Sequence, residues 1–318
     1  MRHSILFLAL VIVPCAAQQP GGSDPGRDLL ATIAAVQPPA GGGQRPAMTP
    51  EQRAAAEAKR QAELNAPRPI EALDSVWIEE LTWMEVRDAI KGGKSTALIL
   101  TGGVESNGPH LATGKHNFVL KVMGEAIARK LGNALVAPIL TLEPGRPDGE
   151  RVAPGSVVLS AATYRAVLTD MAESLRGMGF ATVILMGDSG GNQGAMKEVA
   201  AALNTKYNGN PARFYFIPEY YDYSSVQKLI QDSGIPEQIK IGASNGSDGI
   251  HEEYGIDALM ALYDPVTIRV EQRKKANRAT INGVSLLPLE KTLEMGRKIV
   301  ELRTKLTVDA ITKAMAAR

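Results

Sequence analysis

The sequence predicts an α/β fold with a largely parallel sheet covered on both faces. Short, continuously apolar segments alternate with longer segments of helical character, the pattern of strands buried on both sides. The chain has 318 residues, 44% hydrophobic and 22% charged, long enough to bury such a sheet in one large domain.

The first residues, MRHSILFLALVIVPCAAQQ, combine a basic start, an apolar stretch from Ile5 to Val13 and small residues at Cys15, Ala16 and Ala17. That is the anatomy of a cleaved export signal, with the cut placed after Ala17 and the mature protein periplasmic or secreted. The apolar stretch is shorter than the roughly 18 residues a permanent span needs, and no later stretch reaches that length, so no membrane contact is expected of the mature form. Pro14 before Cys15 does not suit lipid attachment. Cys15 is the single cysteine, so the mature chain would contain no disulfide and no thiolate. The formal charge of +1 falls to about 0 with Arg2 removed, which excludes nucleic acid and anionic surfaces as expected partners.

Residues 18 to 47 are rich in Gly, Pro, Gln and Ala and read as a flexible tether. Thr49-Pro50-Glu51-Gln52 is a capping box with proline at the first helical position, opening an exposed helix that runs to about Leu64. The folded domain is expected over 75 to 318. It begins with VWIEELTWMEVRDAIKGG, where Leu81, Val86 and Ile90 recur near helical spacing and Gly92-Gly93 stops the helix. Trp77 and Trp83 read as core anchors. Strands follow at 96–101 (TALILT), 134–140 (ALVAPIL), 182–187 (TVILMG) and 213–218 (RFYFIP). Helices are expected at 117–132, 161–180 and from about Gly191 to Leu203.

In such folds ligands sit at the carboxyl ends of the strands. Loop 102–116 follows one strand, loop 187–191 another, and NGSDGIHEEYG (245–255) forms a third polar cluster. His110, His116 and His251, the histidines remaining after the leader, all fall in two of these loops. Gly102, Gly103, Gly190 and Gly191 read as tight turns. Three chemistries compete. Glu105, His116 and Asp188 offer mixed nitrogen and oxygen ligands to a divalent ion, with His110, His251, Glu252 and Glu253 as further candidates; such an ion lowers the pKa of its water for attack on a carbonyl. Ser189 in GDSGGN, with Asp248 and His251, resembles the blocks of GDS-type serine esterases, although that block normally follows the first strand of the domain. Phosphate binding at GDSGGN is the third, and Asp188 opposes it.

Four blocks in order resemble the creatininase (creatinine amidohydrolase) family over about 75 to 268. LTWMEV resembles its opening helix, and VESNGPHLATGKHN its E-Q-H-G-P-H-L-P-x-x-T-D. APGSVVLS is similar to F-P-G-T-x-S-L, and GFATVILMGDSGGN to G-F-x-x-x-x-x-x-N-G-H-G-G-N. GIHEEYGIDALMALYDP is similar to H-A-G-E-x-E-T-S-x-M-x-A-L-x-P, with the distance from His251 to Pro265 retained. The resemblance implies a three-layer α/β/α sandwich, homo-oligomers that are often hexamers, and two divalent metals activating water against a C–N amide bond of a small, in some cases cyclic, substrate. Carried across, the first ligand is kept as Glu105. The next, a histidine, is Asn107; the aspartate eleven positions after the glutamate is His116; the histidine of N-G-H-G-G-N is Ser189. One Zn or Mn ion is therefore expected, on Glu105, His116 and Asp188. Glu105 and His251 are the expected catalytic pair, His251 for proton transfer, and Asn107, His110, Ser189, Asn192 and Glu253 are the expected substrate contacts. Tyr254 and Ile256 replace two family glutamates, and Glu252 and Glu253 read also as surface charges. A small-ligand-binding protein without turnover is the alternative on the same fold. The export reading is checked by N-terminal sequencing of protein recovered outside the cytoplasm, with Gln18 expected as the first residue.

Overall fold

A computed structural model describes residues 48–149, 154–236 and 249–317. The leader, the tether, the disputed Cys15 and Asp248 lie outside the described residues. The chain divides into two compact units, Met1–Ala66 and Pro67–Arg318.

In the first unit, helix α1 (Pro50–Asn65) starts at the capping box: Gln52 N donates to Thr49 Oγ1 at 3.2 Å and Thr49 N to Gln52 Oε1 at 2.9 Å. It buries none of its residues, as its lack of a large apolar face requires.

The second unit carries the sheet. Helix α2 (Trp83–Lys91) is capped by Thr82 and Glu85, the reciprocal pairing of a second capping box, and stops at Gly92. Trp77 is buried and its Nε1 donates to Glu125 at 2.8 Å. Trp83 does not anchor the core: at the first position of α2 it is 52% exposed, with the Arg87 guanidinium over its ring. Strand β1 (Thr96–Thr101) is followed by α3 (Lys115–Leu131), β2 (Ala134–Val136), a short parallel pair β3 (Glu143–Gly145) and β4 (Val158–Ser160), then α4 (Ala161–Met178), β5 (Thr182–Gly187), α5 (Gln193–Lys206) and β6 (Arg213–Phe216). The central sheet runs β2-β1-β5-β6, all parallel, with Thr96 opposite Ala134 and Thr182. β2 is shorter than the apolar run 134–140 because Pro138 cannot donate to the ladder, although Leu140 N still reaches Leu100 O. β6 stops at Phe216, where Pro218 opens a 3₁₀ turn through Tyr221. A similar turn, Gly190–Asn192, precedes α5.

Side chains of β1 and β5 alternate between two cores. Leu98, Leu100, Ile184 and Met186 meet α3, α7 (Tyr254–Tyr263) and α9 (Leu289–Ala316) on one face. Ala97, Ile99, Val183 and Leu185 meet α4 and α5 on the other. This is the three-layer α/β/α sandwich. The remaining elements are α6 (Tyr223–Asp232), α8 (Val270–Lys275) and the hairpin β7 (Thr280–Ile281) with β8 (Val284–Ser285). No helix of the described residues is long and apolar enough to cross a membrane.

α9, 28 residues long, packs tightly on α7. A Cβ on Gly296 would lie 2.4 Å from the Ala258 carbonyl oxygen, a contact that backbone cannot yield to cheaply. Gly296→Ala is expected to lower stability by about 1–3 kcal/mol in spite of alanine's better helix propensity, read as a lower denaturant midpoint at unchanged slope. An unchanged midpoint would mean that the two helices separate freely.

Candidate functional site

Between β1 and β5 the chain order reverses, β2 lying to one side and β5 to the other. Loops leaving the two strand ends flank that point, the position of the ligand crevice in doubly wound sheets. Glu105 and His116 follow β1; Asp188 and Ser189 follow β5. His116 stands in the first turn of α3 rather than in the loop before it.

His116 joins the two strand ends. Its Nε2 is 2.9 Å from Glu105 Oε1 and its Nδ1 is 2.9 Å from Asp188 Oδ2. Each carboxylate meets a further cation: Lys115 Nζ lies 2.8 Å from Glu105 Oε1, and Arg303 Nη2 lies 2.9 Å from Asp188 Oδ1. Tyr220 and Tyr223 hydroxyls also donate to Asp188, at 3.2 and 3.3 Å. Arg303 comes from α9 and stands over the Tyr220 and Tyr223 rings, 4.5 and 5.1 Å from their centroids. The result is a line of alternating charge, Lys115–Glu105–His116–Asp188–Arg303.

Burial alone would raise the carboxylate pKa values. For Glu105 the His116 hydrogen bond and the Lys115 charge outweigh it and hold the group at about 2. The Arg303 charge and the His116 bond hold Asp188 below its ordinary value. Burial would lower His116, but its bonds to Asp188 and Glu105 raise it instead.

His251 Nδ1 lies 3.4 Å from Glu105 Oε1, completing the expected catalytic pair in space. Burial dominates there and keeps His251 below its ordinary range, hence neutral at pH 7, against the pull of Glu105. The other expected contacts are engaged within the fold. Asn107 Nδ2 donates to the Ala112 and Thr113 carbonyls, closing its loop. His110 turns toward Glu252, whose Oε2 accepts its backbone N–H at 3.4 Å. Ser189 Oγ donates to Glu143 Oε2 at 2.5 Å, and Asn192 Nδ2 ties the Thr101 and Gly102 carbonyls at 2.9 and 2.8 Å. Glu253 caps α7 through the Gly255 and Ile256 amides. Glu252 and Glu253 are thus buried, not surface charges: Glu252 is paired with Arg273 at 2.7 Å, and burial raises the pKa of Glu253. In the esterase arrangement Ser189 would serve His251, yet the two face different carboxylates, Glu143 and Glu105.

Comparison with known proteins settles the family. The family described as creatininase, creatinine amidohydrolase, matches residues 79–311. The chain belongs to the creatininase family. Solved creatininases share the fold. A mutant creatininase is 19% identical with a TM-score of 0.55, over 76% of this chain and 99% of that one. A mutant of Zn-Zn type is 20% identical with a TM-score of 0.51, over 76% and 98%, and a creatininase Mn form is 19% identical with the same score and coverage. No curated protein matches the chain.

Zn and Mn forms among these structures support a divalent metal in the family. The expected ligands of this chain do not fit one. His116 directs its two ring nitrogens to opposite carboxylates, so neither nitrogen is left for a metal. Asp188 accepts from four donors, and Lys115 occupies Glu105. With His116 protonated, three cations face two carboxylates, and a dication would add charge where none is left uncompensated. Among the described residues no group of three His, Cys, Asp or Glu side chains is placed to hold an ion. The residues expected to hold one ion, Glu105, His116 and Asp188, are thus already paired with one another and with Lys115 and Arg303.

Sequence reasoning passed over Lys115, Arg303 and Glu143 as site residues. Arg303 had a signal: it occupies the buried stripe of α9 with Met295, Ile299, Thr307 and Ile311, where an arginine needs a partner. Glu143 had none, since it meets Ser189 only where β3 packs against the Gly190–Asn192 turn.

The network ties stability to pH in two directions. Glu105 and Asp188 contribute above their unfolded values, 4.5 and 3.8, and lose this as pH falls through their lowered folded values. His116, raised above 6.5, contributes fully below 6.5 and loses it as pH rises through its folded value. The Tm difference between wild type and His116→Gln is therefore expected to be largest between about pH 4.5 and 6.5 and to shrink on the alkaline side. A difference that grows with pH would show that His116 is buried neutral.

Proposed function

We propose that this creatininase-family protein binds a small polar ligand at the β1–β5 crevice without a divalent metal. The family and fold are those of amidohydrolases, but the group that makes water a nucleophile at neutral pH in a metal hydrolase has no counterpart in the Lys115–Glu105–His116–Asp188–Arg303 line. That saturated line is the observation carrying the proposal. A carboxylate held at about 2 is a strong hydrogen-bond acceptor and a weak base, so Glu105 suits orienting a ligand N–H or O–H more than deprotonating water. His251, neutral and about one-third exposed, is the group best placed to meet the ligand beside it.

Metal analysis of the purified protein, incubated with Zn or Mn and desalted, tests the reading. Less than about 0.2 equivalents should remain, where a true site at neutral pH retains about one. Near-stoichiometric metal that disappears in Glu105→Ala and His116→Ala would restore the metallohydrolase, as would amide hydrolysis abolished by a chelator. Labelling of Ser189 by a fluorophosphonate would instead favour the esterase.

A further inference from the structure

His251 has φ +53°, a conformation rarely held by a residue with a side chain unless its neighbours enforce it. They do so here. Gly249 crosses the Gly108 backbone so closely that a Cβ would lie 2.4 Å from the Gly108 carbonyl oxygen. Ile250 exchanges both backbone hydrogen bonds with Gly108, at 2.6 and 3.1 Å. Glu253 is fixed as the cap of α7. Glu252, between them, is fully buried, and its carboxylate meets Arg273 Nη1 at 2.7 Å.

Arg273 is itself almost wholly buried and bonds four residues. Its Nη1 also donates to Asp257 at 3.1 Å, its Nη2 to the Thr280 carbonyl at 2.7 Å, and its Nε to the Arg278 carbonyl at 3.2 Å. One guanidinium faces two carboxylates. Burial and the Glu252 charge push Asp257 well above the ordinary carboxylate range, and Glu252 keeps the shorter contact with the guanidinium. Glu252 Oε2 accepts the His110 backbone N–H, so the same carboxylate steadies both histidine loops.

We propose that Arg273, remote from the crevice in sequence and buried behind it, is the positioning residue for His251, acting through Glu252. The consequence for ligand binding rests on the function proposed above; the placement of His251 does not. Two measurements therefore need no ligand: the amide exchange rate of Ile250 and the imidazole chemical shifts of His251, assigned by their absence in His251→Gln. The double variant Glu252→Gln/Arg273→Met removes both buried charges together, which spares the fold the cost of an unpaired one. In it, Ile250 exchange should accelerate by about tenfold or more, and the His251 shifts should move to those of a free histidine while His116 stays unmoved. Asp257→Asn, which keeps the Arg273–Glu252 pair, should alter neither. Arg273→Lys keeps the charge but loses the fork to Thr280 and Arg278; it should move both readouts in the same direction by a smaller amount, and it decides the matter if the double variant does not fold. Unchanged Ile250 exchange and His251 shifts in a folded variant would overturn the proposal. If those readouts move as expected while no ligand is ever found, the positioning role stands and the binding function falls.

Discussion

Everything at the crevice depends on one imidazole held between two carboxylates. His116 takes Glu105 on one side and Asp188 on the other, both at 2.9 Å, and so fastens the loop after β1 to the end of β5. Without it the half-buried Glu105 and the buried Asp188 would face each other across the point where the sheet reverses. For the buried His116–Asp188 pair, removing one member typically costs about 3–5 kcal/mol, because the other charge stays buried and unpaired. The line is stable only as a line: every charge has an opposite neighbour, and Lys115 and Arg303 close its ends.

The far end comes from 115 residues away. Arg303 reaches Asp188 only because α9 lies across the face formed by α3 and α7, and Tyr220 and Tyr223 give its guanidinium aromatic surfaces in place of water. A C-terminal helix whose outward purpose is to cover a core thereby supplies a charge to the site. Packing and electrostatics are coupled: α9 cannot loosen without exposing Asp188, and Asp188 cannot be neutralised without weakening the hold on α9.

Much of this fold was legible from the residues. The strands 96–101 and 182–187 coincide with unbroken apolar runs, because a strand buried on both faces has no reason to alternate. Errors in length fell at Pro138 and Pro218, where one missing N–H ends a ladder. The proximity of Glu105, His116 and Asp188 was also legible, from strand-end position and from the creatininase pattern. Their chemistry was not. Whether a carboxylate binds a metal or a cation depends on which basic group tertiary packing brings to it, and neither Lys115 nor Arg303 advertises its target locally. Glu252 and Glu253 read as surface charges for the same reason: their partners, Arg273 and the amides of α7, become visible only in three dimensions. Trp83 is the converse, a large apolar side chain whose place at the start of α2 leaves it in solvent with Arg87.

The departures from the creatininase pattern form a coherent set. At position 116 histidine in place of aspartate changes the local charge from negative to positive when protonated, and it does so beside Lys115 and within reach of Asp188. A dication there would face that added positive charge. Asn107 turns its amide to the Ala112 and Thr113 carbonyls, and Ser189 gives its hydroxyl to Glu143. Both altered side chains donate within the fold, while the buried Asn107 Oδ1 has no hydrogen-bond partner among the described residues. Glu105 and His251 lie 3.4 Å apart beside that frame, and under the proposed binding role this pairing of an acceptor carboxylate with an imidazole would select a small polar molecule by the placement of its donors.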